Sequence, residues 1–107
     1  MYPSRNGNST SPTVAILFED HKINMLISSL LQSRGVRTHI INSIEQLNGY
    51  SKLVTEPQFF YRLPKRPPQS CLLIGNQNAL EGAEAVTLSR PLTESKIELA
   101  INKFLEA

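Results

Sequence analysis

The chain has 107 residues, of which 40% are hydrophobic and 19% charged, and a net charge of +2. That length allows one domain and excludes two, and the composition is that of a globular chain rather than a disordered one. The small charge, carried by scattered basic residues apart from the Lys65-Arg66 pair, excludes an electrostatic footprint for nucleic acid.

No apolar run approaches the roughly 20 residues of a membrane span. Residues 1–12 are rich in Ser, Asn, Gly and Pro, carry no secretory-type apolar stretch, and read as a flexible linker. The expected compartment is the cytoplasm. The single cysteine, Cys71, has no partner for an internal disulfide, in keeping with a reducing environment.

The fold is expected to occupy residues 13–107. Residues 13–18 form a nearly continuous apolar run, the pattern of a strand buried on both faces, and stop at Glu19-Asp20. Ile23, Leu26, Ile27, Leu30 and Leu31 then recur at helical spacing, with Asp20 placed as N-cap and Gly35 as a left-handed cap behind the helix. Residues 36–41 read as a second strand, residues 44–47 as a helical turn, and residues 52–55 as a brief third strand.

Residues 59–69 are aromatic and then proline-rich, which forbids a helix, disfavours a central strand and predicts a long ordered loop. Residues 71–74 and 86–88 read as further strands, joined by a connection too short for a full crossover helix, with room only for a turn at 79–82. The last helix is expected over 94–105. Thr93 is its N-cap, Leu92 and Ile97 form its staple, and Ile97, Ala100, Ile101, Phe104 and Leu105 make its apolar stripe. Strand alternating with helix predicts a parallel α/β sheet with one thin layer. Ile16, Leu26, Leu30, Leu73, Ile97, Ile101 and Phe104 are expected in its core.

The stretch TVAILFEDHKINMLISSLLQSRGVRTHIINS, residues 13–43, resembles the opening of a response-regulator receiver domain, and TLSRPLTESKIELAINKFL, residues 87–105, resembles its end. The resemblance implies a receiver-like (flavodoxin-like) α/β fold, with Mg²⁺ held by an acidic pair and an aspartate acceptor after the third strand. It also implies a Ser or Thr after the fourth strand and a Lys after the fifth. Glu19 and Asp20 match the acidic pair. The other positions depart: Asp20 is the only aspartate in the chain, Glu56 stands nearest the acceptor position, the fourth strand ends at Gly75-Asn76, and Arg90 takes the lysine position. A Glu carboxylate is one methylene longer, off the geometry of in-line phosphoryl transfer.

The proline-rich middle between a receiver-like start and finish is also similar to the α/β/loop domains of Rcs-type phosphorelay proteins. That narrower resemblance implies a pseudo-receiver, not itself an enzyme, in the cytoplasmic part of an inner-membrane protein. It would recognise a response regulator or a phosphotransfer domain, without a cofactor. Receivers present the first helix to such partners, which makes His21, Lys22, Asn24, Met25 and Arg90 the candidate partner-binding residues.

Plainer roles compete at several positions. Glu19-Asp20 serve a helix N-terminus as well as they serve Mg²⁺, and Glu56 is either a fixed mimic of a phosphorylated aspartate or a turn residue before Pro57. His21 and His39 lack partners at metal-ligand spacing, and Cys71 reads as a core residue. Phe59, Phe60 and Tyr61 either dock a partner or fill space left by a missing helix. A divergent receiver using Glu56 and a small-molecule-sensing pseudo-receiver are the rival functions.

Overall fold

The computed structural model describes residues 13–63, 70–83 and 85–106. The expected linker at 1–12 and most of the proline-rich loop, residues 64–69, lie outside them. Five strands, β1 (Val14–Leu17), β2 (Thr38–Ile40), β3 (Lys52–Thr55), β4 (Ser70–Gly75) and β5 (Val86–Ser89), form one sheet in the order β2-β1-β3-β4-β5. Every adjacent pair is parallel. This is the flavodoxin-like order, in which the chain reverses direction across the sheet between β1 and β3 and opens a crevice at their carboxyl ends.

Among the described residues, α1 (His21–Gln32), a 3₁₀ turn at Ile44–Leu47, α2 (Pro57–Phe60) and α3 (Gln77–Leu80) lie between successive strands, and α4 (Glu94–Glu106) follows β5. Because side chains alternate along a strand, Val14, Ile16, Val54, Leu72, Ile74 and Leu88 point to one face and pack with Ile27 and Leu31 of α1 and Ala100, Ile101 and Phe104 of α4. Ala15, Leu17, Leu53, Cys71 and Leu73 point to the other face, where Ile44, Leu47, Tyr50, Phe59, Phe60, Leu63 and Leu80 cover them.

The caps agree with the sequence. Asp20 has extended backbone and its Oδ1 accepts the Lys22 N–H at 2.9 Å; Thr93 Oγ1 accepts the Lys96 N–H at 3.3 Å. Gly35 takes φ +79°, a conformation costly for other residues, and the chain turns there into β2. The strand expected over 36–41 is shorter, Thr38–Ile40, and lies at the sheet edge paired only with β1.

Four residues depart from expectation. Leu26 is 54% exposed rather than buried. At 3.6 residues per turn it stands about 100° around the helix from Ile27, at the centre of the inward arc, so it falls on the rim. Asn24 lies on that arc and is 5% exposed, so it is not available to a partner. Its Oδ1 accepts the Phe18 N–H at 2.8 Å and its Nδ2 donates to the Phe18 carbonyl at 3.0 Å, so both polar ends are satisfied by the backbone leaving β1. Leu30 and Ile97 are only partly buried, while Ile16, Leu73, Ile101 and Phe104 are buried as expected.

The segment expected to be loop from Phe59 begins inside α2, a single helical turn with Pro57 at its start. Proline is tolerated there because the first-turn N–H has no helical partner in any case.

Candidate functional site

The carboxyl ends of β1, β3, β4 and β5 deliver Glu19-Asp20, Glu56, Asn76 and Arg90 to one end of the sheet. Beneath them Thr55, with no exposed surface, donates its hydroxyl to the Leu17 carbonyl at 2.6 Å and ties β3 to β1. Above, Glu56 Oε2 accepts the Glu19 N–H at 2.7 Å, and Glu19 Oε1 accepts the Gln58 side-chain N–H at 3.3 Å. The two glutamates are thus held in a closed circuit through neutral donors, while Asp20 is engaged in capping α1.

The far half of the site is an open cleft lined by Glu56, Pro57, Gln58, Gly75, Asn76 and Arg90, among others. Its floor is set by a close approach: a Cβ on Gly75 would stand 3.0 Å from Pro57 Cδ, so a larger residue there would displace the start of α2. The Arg90 N–H donates to the Gly75 carbonyl at 3.1 Å and fixes the turn that follows β5.

Mg²⁺ chemistry of the receiver kind needs several oxygen ligands converging on one point. Among the described residues no group of three or more His, Cys, Asp and Glu side chains is placed to hold a metal ion. The three carboxylates at this end of the sheet point to an amide, a side-chain amide and a helix N-terminus instead. The residues present do not fit the ion.

Of the candidate partner-binding residues, His21, Lys22 and Met25 are exposed along the first two turns of α1, Met25 at 56%. Arg90 is exposed but lines the cleft with Glu56 and Asn76, with β3 and β4 lying between its strand and β1. Asn24 is withdrawn by its burial. Two apolar residues outside the candidate set, Leu26 and Leu92 at 39% exposure, both line the narrow apolar crevice between α1 and α4. The sequence carried no clear signal for the exposure of Leu26, which stands at the edge of the stripe it forms with Ile23, Ile27, Leu30 and Leu31. For Leu92 there was none, since a staple residue reads as covered.

Cys71 belongs to none of this. It is buried beneath the opposite face, and burial pushes its thiol from 9.0 to about 11, which keeps it protonated and unreactive.

No family model matches the sequence, and no curated protein matches it either. Solved structures do match. A putative response regulator from Chloroflexus aurantiacus J-10-fl superposes with a TM-score of 0.68 at 15% identity, covering 92% of this chain and 100% of that one. The chemotaxis response regulator CheY4 of Vibrio cholerae gives 0.66 at 11% identity, over 89% of this chain and 99% of its own. The receiver domain of the sensor histidine kinase PA1611 of Pseudomonas aeruginosa PAO1, solved with a magnesium ion in its active-site cleft, gives 0.61 at 14% identity over 92% and 100%. With its sheet order, its flanking helices and these neighbours, the chain has the fold of response-regulator receiver domains.

Proposed function

We propose that the chain is a non-phosphorylatable pseudo-receiver of a phosphorelay protein, a recognition module that docks the cognate response regulator or phosphotransfer domain. The observation that carries this reading is a contrast at one end of the sheet. The position nearest the acceptor holds a glutamate whose carboxylate is already engaged by the Glu19 amide, while the adjoining helix presents Met25 and Leu26 to solvent.

A side chain that is to receive a phosphoryl group must reach an in-line geometry beside a cation. Glu56 is one methylene too long for it, and its carboxylate is turned to the Glu19 amide. Partner recognition needs something else, an apolar centre with a polar rim. Met25, Leu26 and Leu92 provide the centre and His21 and Lys22 the rim. A flexible thioether among them suits an adaptable contact. The parent is read as an inner-membrane relay protein with this module in the cytoplasm, on the strength of the resemblance to α/β/loop domains. Among the described residues no helix is long and apolar enough to cross a membrane.

The test is titration of the relay's response regulator into isotope-labelled chain. Perturbations should centre on Lys22, Met25, Leu26 and Leu92. Perturbations confined to residues 59–69, with Met25 and Lys22 unmoved, would refute the docking face.

A further inference from the structure

The outer side of β5 carries a second surface, independent of the first-helix face. β5 ends the sheet, with β4 on one side only, so alternate residues direct backbone N–H and C=O groups away from the ladder. Such an edge is a template for another strand. An open groove runs along it, walled by α4 and lined by Val86, Thr87, Ser89, Lys96, Leu99 and Lys103, among others.

Within α4 the spacing of three and four residues puts Lys96, Leu99 and Lys103 on one face, beside the core stripe and facing the groove. Leu99 is 66% exposed, the most exposed large apolar residue among those described. The Lys96 ammonium donates to the Pro91 carbonyl at 2.9 Å, which holds it at the groove and leaves further N–H groups to donate.

We infer that this groove accepts an extended acidic segment of a partner protein, added as a sixth strand along β5. The pattern follows from the geometry. Leu99 lies about 4.5 Å along the helix from Lys96 and about 6 Å from Lys103, at a 1.5 Å rise per residue. Same-face residues of a strand recur about every 6.6–6.8 Å, and lysine stems absorb the difference. A segment reading acid-x-apolar-x-acid therefore sets its apolar side chain on Leu99 and one carboxylate near each lysine. Charge also selects against the simplest alternative, a second copy of this chain pairing β5 with β5, because it would bring the same two lysines into the shared groove.

The probe is the peptide acetyl-Thr-Glu-Thr-Val-Thr-Glu-Thr-amide, titrated into the isotope-labelled full chain at low salt. The expected result is saturable perturbation of the Val86, Thr87, Leu88, Ser89 and Leu99 amides, weakened by added salt. Lys103→Glu, at an exposed position, should weaken binding at least tenfold. Two N-methylated versions of the peptide, each blocking one alternate set of amides, need no protein variant. One should lose binding and the other keep it, since only one set faces the sheet. Equal binding by both, tight binding by the Lys103→Glu protein, no shifts at β5, or a concentration-dependent dimer of the chain through the same amides would each overturn the inference.

Discussion

On one face of the sheet lie a twelve-residue and a thirteen-residue helix, α1 and α4, bound to each other by Arg34, which reaches Glu98 at 3.1 Å and Asn102 at 3.3 Å. On the other face the cover is a 3₁₀ turn and two helices of four residues each, stitched by the Tyr61 hydroxyl donating to the Ala79 carbonyl at 2.8 Å. Both layers keep water from a row of fully buried strand residues. They differ in how they do it. Long helices contribute many apolar side chains from a rigid rod, whereas single turns contribute one or two each and rely on aromatic residues from the connecting chain. The thick face can therefore spare exposed apolar residues for recognition. On the thin face Tyr61 is 57% exposed, but its hydroxyl is engaged in tying α2 to α3.

The largest effect that would sharpen this comparison is on stability. Phe104 has no exposed surface and sits at the centre of the thick face, so Phe104→Ala should cost about 3–5 kcal/mol in urea unfolding. Leu80, the buried residue of α3, should cost near the low end of the large-to-Ala range, about 2 kcal/mol. Equal losses would mean that the two layers contribute alike.

Next comes the Asn24 side chain. Asn24→Ala leaves the Phe18 N–H and carbonyl without their buried partners, at about 1–3 kcal/mol for each unsatisfied group, partly relieved by water. The expected net loss is about 2–4 kcal/mol. A loss under about 0.5 kcal/mol, the range of an ordinary surface change, would mean that Asn24 belongs to the surface after all.

A smaller effect tests the thin face through pH. Burial raises the Cys71 thiol from 9.0 to about 11, so between those values the folded chain keeps a proton that the unfolded chain has released. Stability contributed this way is fully present below pH 9 and falls as pH rises through the window, by at most about 2–3 kcal/mol. Denaturant melts from pH 8 upward should show a steeper alkaline loss for the natural chain than for Cys71→Ala. Identical slopes would put Cys71 in contact with water.

The smallest effect on stability belongs to the recognition face. Replacing Met25 and Leu26 by Ala, both more than half exposed, should change stability by no more than about 0.5 kcal/mol per site. The same pair should weaken docking of the response regulator at least tenfold. A stability loss without an affinity loss would make these residues structural.

Much of the fold was legible because its cues are local and repeated. The run at 13–18 has no polar break, Asp20 and Thr93 stand where caps are needed, and Gly35 follows the last helical apolar residue. What escaped depends on neighbours far along the chain. Lysine is a residue type mostly exposed, but Lys52 is 8% exposed in β3, with its ammonium donating to the Phe104 carbonyl at 3.1 Å in the last turns of α4. A cation there meets the negative end of the helix dipole, a pairing across 52 positions that no periodicity announces.

Asn24 sat among candidate surface residues because polar side chains are mostly exposed; the backbone of Phe18 draws it inward. At the site, the loss of the aspartate was plain from the sequence. The engagement of Glu56 by the Glu19 amide was not, because it joins residues 37 positions apart.

Phosphoryl chemistry offers the most direct test of the central claim. The full chain, incubated with acetyl phosphate and millimolar Mg²⁺, is weighed intact by mass spectrometry. A gain of one phosphoryl group is ~80 Da and adds charge and three acceptor oxygens wherever it forms. The mass should be unchanged at every time point, with the spectrum around Asp20 unmoved by Mg²⁺. A stable ~80 Da adduct mapped to Glu56 would contradict it and make the chain a working receiver.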